Sequence, residues 1–334
     1  MTWLIISQVG RGCVSYQASH ILSKESDNSI SFYTPFTLFY REVLKGNFVT
    51  GATSLASTGN GSITISGVPS SSTIVKAFLF WTEEDSDNFS SGNFNGNPIT
   101  GIKLAESDPA CWGSVIRNAL FYADVTNYVS GNGTYSLSSF SPACSFGESV
   151  EGATLVVIYC NQSEIKRTIT IYTGDYQTPN NSSPYSWTHT NFTATNPVLD
   201  ATYSISIANG QDAGSGSEFV YLNGNLITTM IDGLTGPNSG CVNGSLWDEF
   251  KGNATTWIPA NATSATFSIN NAAQSVIDCW NPILTILSVS SIDNETYNCA
   301  TPVNVKESLT RPEIKIYKGF VEINSPYNFK IFSI

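Results

Sequence analysis

The sequence predicts an all-β protein made of two tandem β-sandwich domains, of jelly-roll or Ig-like type, with strand-like terminal extensions. Three observations lead to this class: segments in which apolar and polar residues alternate at period two, turns rich in Gly, Asn and Ser between them, and an internal repeat. Very little of the chain has a helical pattern. In the first of the two predicted domains, the pattern indicates about seven or eight short strands in two packed sheets.

The repeat relates segments of the chain that lie about 129 residues apart. The run DVTNYVSGNGT, which begins at Asp124, aligns without a gap with NATTWIPANAT, which begins at Asn253. Upstream, the NGN of residues 95–97 aligns with the NGN of residues 223–225. Because these features recur in one order at a nearly constant offset, we interpret the chain as two copies of one domain. The predicted organisation is an N-terminal extension (1–46), a first sandwich (47–177), a second sandwich (178–300) and a C-terminal strand extension (301–334).

The individual strands follow from their hydrophobic patterns. Residues 62–66 and 167–173 alternate and predict strands with one wet face, whereas residues 74–81 and 153–159 are apolar on both faces and predict central strands. The remaining strands are predicted at 119–122, 134–140, 186–194, 201–208, 218–222, 263–269 and 282–288, with one terminal strand at 29–44, broken at Pro35, and another at 312–324. Asn95 predicts a hairpin turn, and the carboxylate of Asp124 is expected to cap free backbone amides.

The composition indicates an extracellular protein. Only 12% of residues are charged and 41% are hydrophobic, so neutral polar groups must cover the surface. The chain also contains more Asn-x-Ser/Thr sequons than its composition alone leads one to expect, and N-linked glycans are predicted at them. The sequons begin at Asn60, Asn88, Asn132, Asn161, Asn180, Asn181, Asn191, Asn243, Asn253, Asn261 and Asn294. Asn132 and Asn261 occupy equivalent repeat positions just before a strand, where a glycan would point to solvent.

The seven cysteines predict disulfides rather than a metal site, because no Cys-x-x-Cys pair occurs and the chain has only two histidines. Recurrence in the repeat predicts one bridge in each copy, and two further cysteines are left as a third pair. The predicted bridges are Cys111–Cys144, Cys241–Cys279 and Cys160–Cys299, with Cys13 unpaired. Buried free thiols are the alternative.

Membrane and targeting signals are not evident in the sequence. No apolar run approaches the roughly 20 residues that a membrane-spanning helix needs. The N-terminal MTWLIISQVGRG lacks the basic start and the length of a typical signal peptide, so export is inferred from the cysteines and sequons. The net charge is −11, and no nucleic-acid partner is expected.

The chemistry of an enzyme is difficult to assemble from this sequence, and we expect a protein that is not an enzyme. A GxSxG motif and a Gly-rich phosphate loop are absent, and two histidines make a Ser/His/Asp triad hard to build. The acidic residues 83–87 are predicted to lie in a loop, where Glu84, Asp85 and Asp87 are candidate Ca²⁺ ligands. Paired carboxylates of a glycosidase and a solvated acidic loop are the alternatives.

Several aromatic residues near predicted loops are candidates for stacking on sugars in a lectin-like module. They are Trp112, Tyr128, Trp247, Trp257 and Trp280. Packing is the alternative, because Tyr128 and Trp257 share one repeat position and two of the tryptophans follow cysteines.

Part of the sequence resembles a known family. The runs GNFVTGATSLASTGNGSITISGVPSSSTIVKAFLFWT, FNGNPITG, ADVTNYVSGNGTYSLSSF and VEGATLVVIYCNQSEIKRTITIYTG, and NFTATNPVLDATYSISIANGQ further on, are similar to uncharacterised modules of archaeal and bacterial cell-surface proteins. The resemblance covers about residues 46–290. It implies a domain of unknown function in secreted or surface-anchored proteins, and it carries no catalytic residues.

We expect an extracellular structural protein that assembles with identical subunits into a surface layer, sheath or filament. Residues 51–302 hold 20 acidic and 6 basic residues (net −14), and the two end segments hold 6 and 9 (net +3), which favours head-to-tail contacts. A terminal strand is expected to complete a neighbour's sheet through Ile314, Ile316, Val321 and Ile323. The alternatives are an adhesin with glycan ligands, a polysaccharide-acting enzyme and a viral capsid subunit.

Overall fold

The structure is a computed structural model that describes most of the residues between 25 and 324. The described ranges are 25–26, 29–30, 33–56, 58–85, 90–108, 117–140, 149–177, 184–209, 217–231, 246–271, 280–299, 313–317 and 320–324. Within them, the secondary structure is almost entirely β. The only helical elements in these ranges are two 3₁₀ turns, Thr126–Tyr128 and Thr255–Trp257.

Twenty-one strands form the described part of the fold. In chain order they are β1 (Glu25–Ser26), β2 (Ser29–Ile30), β3 (Thr34–Ser54), β4 (Gly61–Ile65), β5 (Thr73–Asp85), β6 (Ser91–Phe94), β7 (Asn97–Thr100), β8 (Ile102–Ser107), β9 (Arg117–Asp124), β10 (Gly133–Ser138), β11 (Ser149–Cys160), β12 (Lys166–Asp175), β13 (Tyr185–His189), β14 (Ala201–Ala208), β15 (Ser217–Leu222), β16 (Asn225–Ile231), β17 (Trp247–Asn253), β18 (Ala265–Asn271), β19 (Asn281–Ser290), β20 (Glu313–Tyr317) and β21 (Phe320–Asn324).

Three antiparallel sheets contain most of these strands. A central sheet has the order β17-β14-β19-β12-β3-β11-β5-β9-β8, a first outer sheet has the order β4-β10-β6-β7, and a second outer sheet has the order β13-β18-β15-β16. The long strand β3 lies in the middle of the central sheet: its residues 34–45 pair with β12 and its residues 46–54 pair with β11. We call the strands from β11 to β8 the first half of the central sheet and those from β12 to β17 the second half.

The central sheet folds over, so that its two halves face each other. Three strands separate β11 from β14 in the sheet order, yet the hydroxyl oxygens of Thr154 on β11 and Ser206 on β14 are 2.9 Å apart. Gly46 lies where β3 passes from one half to the other, with a φ of +152°, and a Cβ there would overlap the carbonyl oxygen of Tyr159. Since glycine alone adopts this conformation readily, the change of direction depends on Gly46.

Three apolar layers hold the sheets together, one between each outer sheet and its half of the central sheet and one between the two halves. Burying one large apolar side chain contributes roughly 1.5–3 kcal/mol, so each layer is a substantial source of stability. Fully or almost fully buried representatives of the three layers, in pairs, are Trp81 and Phe94, Trp187 and Phe267, and Phe80 and Ile286.

The two halves of the fold have the same topology. In the outer sheets β4-β10-β6-β7 corresponds strand by strand to β13-β18-β15-β16, and in the central sheet β11-β5-β9 corresponds to β19-β14-β17. Local geometry also recurs. Both Asn-Gly pairs, at Asn95 and Asn223, have positive φ at both residues and close two-residue hairpins, as the sequence predicts for Asn95.

The polar residues before the 3₁₀ turns are equivalent as well. The Oδ1 atom of Asp124 accepts a 3.0 Å hydrogen bond from the amide of Thr126, which is the capping contact that the sequence predicts. In the second half the Oδ1 atom of Asn253 accepts one of 2.9 Å from the amide of Thr255. The same turn geometry therefore occurs in both halves, and the accepting group is a carboxylate oxygen in the first half and an amide oxygen in the second.

Strands β1 to β19 belong to one compact unit, His20–Ala300, and the β20–β21 hairpin belongs to a second unit. The predicted domain boundaries stay a prediction. The boundary predicted after residue 46 falls inside β3, whose two parts pair with different halves of the central sheet. Both halves of the central sheet therefore share this strand.

Three predicted elements differ from the observed ones. The strand expected at 29–44 is β2 followed by β3, and β3 continues through Pro35 because its pairing with β12 is irregular there and tolerates the missing amide. The acidic residues 83–85 lie in β5 and not in a loop, since they continue its pairing with β9. The single strand expected at 312–324 is a hairpin, in which Ile314 pairs with Ile323 and Ile316 with Val321.

One predicted disulfide is confirmed. Cys160 and Cys299 are bonded, with their Cα atoms 5.5 Å apart, and the bridge fastens the segment that follows β19 to the end of β11. Cys160 is buried against the apolar layer between the two halves of the central sheet. The other five cysteines, Cys13, Cys111, Cys144, Cys241 and Cys279, lie outside the described residues.

Candidate functional site

The first candidate site is a polar cluster at one end of the central sheet. The strands that contribute to it end or begin there, and each supplies a polar residue where its apolar pattern stops. We call these residues the loop-end cluster: Glu84, Ser107, Asn118, Glu151, Asp175, Asn209 and Asn281. Ser107, Asn118 and Glu151 belong to the first half of the sheet, and Asp175 and Asn281 to the second. The cluster therefore spans the interface between the halves.

Asp175 accepts hydrogen bonds from both halves of the sheet. Its Oδ2 accepts one of 2.9 Å from the Nδ2 of Asn118, and its Oδ1 accepts one of 2.6 Å from the Nδ2 of Asn281. The same Nδ2 of Asn281 also lies 3.0 Å from the hydroxyl of Ser107. Asp175 and Asn281 are inaccessible to solvent. Asp175 is therefore a buried acceptor whose donors join β9 to β12 and β19.

Glu151 is the second buried carboxyl group of the cluster. Its Oε2 accepts a 2.9 Å hydrogen bond from the backbone amide of Asn209, in the other half of the sheet, and one of 3.3 Å from the hydroxyl of Thr82. The side-chain amide of Asn209 contacts Glu151 on one side and Asn281 on the other. A bulge in the pairing of β5 with β11 lies at Glu151. The bulge re-aims the side chain, as such irregularities do near functional positions.

Burial shifts the acidity of these groups. It raises the pKa of Asp175 from 3.8 to about 7, although the three hydrogen-bond donors around the carboxylate oppose the shift. It raises the pKa of Glu151 well above 4.5, and the nearby Glu84 carboxylate raises it further. The pKa of Glu84 itself is also raised by burial. Burial therefore favours the protonated forms of all three carboxyl groups.

Two of the three carboxyl groups in the cluster lie out of reach of a substrate. Asp175 is 0% and Glu151 is 1% exposed, and an acid or base catalyst has to come within hydrogen-bond reach of its substrate. Within the described ranges, no three acidic, histidine or cysteine side chains gather to hold a metal ion. What the arrangement can do is connect the two halves of the sheet and titrate.

The one described histidine is structural. His189 is fully buried, with its two ring nitrogens each 2.9 Å from a threonine hydroxyl, those of Thr170 and Thr285. Burial lowers its pKa to about 3, so the ring is neutral at physiological pH. In the described hydrogen bonds no carboxylate contacts the ring, as the acid of a triad would.

The second candidate site is the outward face of the second outer sheet. Two aromatic residues of β15, Phe219 and Tyr221, point away from the core, because their neighbours Val220 and Leu222 are fully buried in it. The two rings lie side by side, with centroids 6.2 Å apart and planes inclined by 22°. Leu226, opposite Tyr221 on β16, is 46% exposed. Together these residues form an apolar strip on the outer face of this sheet.

Uncharged polar residues border this strip. On β18, Asn270 lies opposite Phe219 and Ser268 lies opposite Tyr221. Further along the sheet, the hydroxyls of Thr188 and Thr266 are 3.0 Å apart. We call this surface the β15 face and define it by Ser186, Thr188, Phe219, Tyr221, Leu226, Thr266, Ser268 and Asn270. These residues combine ring planes with hydrogen-bonding groups and carry no charge.

The first outer sheet provides a natural comparison, because its corresponding face lacks the aromatic strip. Residues 91–94 are the repeat counterparts of residues 219–222, so Ser91 and Asn93 stand where Phe219 and Tyr221 do. The row of hydroxyls is kept, since those of Thr64 and Thr134 are also 3.0 Å apart. The aromatic strip is thus specific to the second half. The strip was not predicted from the sequence. The difference between SGNF in the first copy and FVYL in the second is the sequence feature that indicates it.

The residues predicted as sites are scattered in the structure. Glu84 belongs to the loop-end cluster, the side chain of Asp85 is not described, and Asp87 lies outside the described residues, so the predicted calcium site is not tested. Trp247 and Trp280 are fully buried and cannot stack on a sugar in the folded protein, whereas Tyr128 is 39% exposed. Trp257 is half-buried against the core of the second half, and Trp112 lies outside the described residues.

Most of the described sequons are accessible. Asn60, Asn132, Asn191, Asn253, Asn261 and Asn294 are exposed. Asn161 is different: it is only 8% exposed, and its Nδ2 donates to the carbonyl oxygen of Ser70 and the hydroxyl of Ser72. Asn88, Asn180, Asn181 and Asn243 lie outside the described residues. The side chains of the predicted assembly residues, Ile314, Ile316, Val321 and Ile323, are not described.

The fold and these surfaces define an all-β protein of stacked antiparallel sheets. In its described part, no helix is long and apolar enough to cross a membrane. The chain belongs to the family described as a protein of unknown function, DUF3344, which matches residues 27–290. This confirms the expected membership of an uncharacterised domain family. Among curated proteins, no significant match was found.

Solved structures give only distant similarities. A crystal structure of BuGH86 in complex with neoagarooctaose is 10% identical, with a TM-score of 0.27, and covers 79% of this chain but only 34% of that one. The glycosylasparaginase PNGase F of Flavobacterium meningosepticum is 13% identical, with a TM-score of 0.26, and covers 78% of this chain and 97% of that one. Infectious bursal disease virus, Gx strain, is 12% identical, with a TM-score of 0.22, and covers 84% and 77%. TM-scores this low carry no functional argument.

Proposed function

We propose that this is an extracellular protein that binds neutral carbohydrate on the β15 face and does not transform it. The observation that carries the proposal is the pair of adjacent, outward-facing rings of Phe219 and Tyr221 on the second outer sheet. The apolar C–H faces of sugar rings stack on aromatic rings, and the surrounding hydroxyls of the sugar need polar partners. The β15 face offers both.

The polar border supports a sugar over an apolar protein partner. Ser268 and Asn270 lie directly beside the two rings and can donate and accept hydrogen bonds. The core of a protein interface is usually depleted in small polar residues such as serine. Because the defined β15 face is uncharged, a neutral glycan fits it better than an acidic one does.

The extracellular location has separate support. The Cys160–Cys299 disulfide is of the kind that persists in oxidising compartments. Six of the sequons are exposed on the described surface, where glycans can be attached. Secretion and a place on an archaeal or bacterial cell surface, which the family resemblance implies, belong to the same proposal.

Affinity electrophoresis in gels that contain single neutral polysaccharides tests the proposal. We expect at least one neutral polysaccharide to retard the wild type, and Tyr221→Ala to lose most of the retardation. Tyr128→Ala is the matched control, since Tyr128 is an exposed tyrosine outside the β15 face and should leave retardation unchanged. Equal retardation of all three proteins would contradict binding at this face.

Self-assembly into a filament, sheath or layer is the second candidate function. The observation that favours it is the charge distribution, with net −14 in residues 51–302 and net +3 in the end segments. Residues 313–324 form a self-paired hairpin, so addition to a neighbour's sheet would use a free hairpin edge and not a single strand. Deletion of residues 303–334 should leave a folded monomer, and a truncated protein that still polymerises would contradict a role of the hairpin.

A further inference from the structure

The loop-end cluster concentrates the polar connections between the two halves of the central sheet. Three hydrogen bonds cross between the halves there: Asn118 to Asp175, Asn281 to Ser107, and the amide of Asn209 to Glu151. The neighbouring layer between the halves is largely apolar. Apolar packing tolerates small displacements, whereas these hydrogen bonds fix the position of one half against the other.

Among the described residues, no ion pair gives Glu151 a cation. Glu84 of β5 and Asp175 of β12 are its acidic neighbours, and Glu106 of β8 acts on Asp175. Two basic residues of the neighbouring strands β8 and β9, Lys103 and Arg117, are bonded to Glu106 at 2.7 and 3.0 Å. Further along β17, Lys251 is bonded to Glu249. Among the described ion pairs, none includes Glu84, Glu151 or Asp175.

One buried hydrogen-bond acceptor of the loop-end cluster lacks a donor among the described residues. The Oδ1 atom of Asn118 is buried and has no hydrogen-bond partner among the described residues. Asn118 lies opposite Glu84 in the pairing of β5 with β9. A carboxylate cannot donate a hydrogen bond, but a protonated carboxyl group can. A proton shared by Glu84 and Glu151 would therefore provide a hydrogen-bond donor near Asn118. It would also remove one of the two neighbouring negative charges of this pair.

We propose that the loop-end cluster is a proton-dependent latch, which joins the halves of the central sheet while Glu151 is protonated and loosens when Glu151 loses its proton. Deprotonation of Glu151 adds a negative charge beside Glu84 and Asp175 in a largely buried site, where like charges repel strongly. The strained contacts are those that cross between the halves, so the strand ends would separate and admit water. The latch is closed at low pH and opens as the pH rises. This inference does not depend on carbohydrate binding.

The latch has a local reporter. Trp247 is fully buried at the same end of the sheet, packs against Gly152 next to Glu151, and donates a 3.1 Å hydrogen bond from its indole to the hydroxyl of Thr154 in the other half. Opening would expose this indole and the amide of Asn209. Hydrogen exchange of the backbone amides in the peptides that contain residues 149–160, 201–209 and 246–253 measures this opening.

The experiment compares exchange at pH 6 and pH 9, corrected for the intrinsic pH dependence of exchange, in the wild type, Glu151→Gln and Glu249→Gln. In the wild type we expect protection of these peptides to fall at least about tenfold at pH 9, the change that one unit of pKa difference represents. Glu151→Gln is permanently uncharged at this position and should lose clearly less protection than the wild type, with the remaining loss coming from Asp175, whose pKa is about 7. Glu249→Gln removes a carboxylate of β17 that accepts hydrogen bonds from Ser204 and Lys251. This control variant should respond to pH as the wild type does.

Two outcomes would overturn the latch. The first is wild-type protection that does not change between pH 6 and pH 9. The second is a Glu151→Gln protein that loses protection with the same pH dependence as the wild type. If Glu151→Gln fails to fold, Glu84→Gln replaces it, because removing the neighbouring charge should shift the opening to higher pH; an unshifted opening would contradict the latch.

Discussion

The side-chain amide of Asn118 donates a 2.9 Å hydrogen bond to the carboxylate of Asp175, and this bond joins β9 in one half of the central sheet to β12 in the other. Both residues are inaccessible to solvent. A buried acid that bridges two halves of a fold makes the stability of the protein depend on pH. The first prediction follows from this pair.

The protein should become less stable as the pH rises from 4 to 8. The pKa of Asp175 is raised from 3.8 to about 7, so its proton stabilises the folded state fully below pH 3.8 and this contribution is lost as the pH rises through 7. A shift of this size corresponds to about 4 kcal/mol in the free energy of unfolding. Urea unfolding at pH 4, 6 and 8 measures it.

Asp175→Asn separates this effect from other sources of pH dependence. The variant should be less stable at pH 4, because an amide accepts fewer hydrogen bonds than the carboxyl oxygens do, but its stability should fall less with pH. Glu249→Gln is the control, since its carboxylate has an ionic partner in Lys251. An Asp175→Asn protein with an unchanged pH slope would show that Asp175 is not the titrating group.

The second prediction concerns Gly46. Gly46→Ala should lower the melting temperature markedly, because alanine is strained at a φ of +152° and its Cβ would overlap the carbonyl oxygen of Tyr159. We expect a loss of at least about 3 kcal/mol. Gly133→Ala is the matched control: the nearest atom to its added Cβ is 3.9 Å away, in ordinary contact. Equal melting temperatures for the two variants would contradict the role given to Gly46.

The third prediction concerns the disulfides. Peptide mapping without reduction should find Cys160 joined to Cys299, and the expected pairs Cys111–Cys144 and Cys241–Cys279 beside it. Because Cys160 and Cys299 are 139 residues apart, their bridge should contribute about 5 kcal/mol by restricting the unfolded chain. Cys299→Ser should lower the unfolding free energy by up to this amount. A peptide that joins Cys111 to Cys241 would contradict the pairing derived from the repeat.

The fourth prediction separates accessible sequons from a buried one. In the native source Asn132 and Asn261, which are exposed, should carry glycans, whereas Asn161 should be unmodified because it is only 8% exposed. Mass spectrometry of intact glycopeptides measures occupancy at each site. A fully occupied Asn161 with bare Asn132 and Asn261 would reverse the expectation.

Local patterns in the sequence predicted local structure well. The Asn95 turn and the strand at 201–208 depend on neighbouring residues alone, and both are found where they were expected. The extent of β3 could not be predicted, since it depends on Gly46 and on pairing with β11 and β12, which are far away in the sequence. Period-two patterns identify strands but not the partners that lengthen them.

The candidate sites were less predictable for a related reason. Glu151 and Asp175 stand at the ends of apolar strands, and nothing in their neighbourhood in the sequence indicates that they meet Asn209 and Asn281. Their raised pKa values result from burial between two halves of a folded sheet, which only the three-dimensional arrangement reveals. Phe219 and Tyr221 alternate with Val220 and Leu222, so the pattern alone does not say which pair is exposed.

The central claim is that the aromatic strip of the β15 face binds neutral carbohydrate. The direct test is isothermal titration of the double variant Phe219→Ala/Tyr221→Ala with the polysaccharide that retards the wild type most. Each ring should contribute about 0.5–1.5 kcal/mol, or about two- to tenfold in affinity. Asn93→Ala, at the counterpart of Tyr221 in the first outer sheet, is the control and should bind as the wild type does. The account predicts a large loss of affinity in the double variant with an unchanged melting temperature; wild-type affinity in that variant would contradict it.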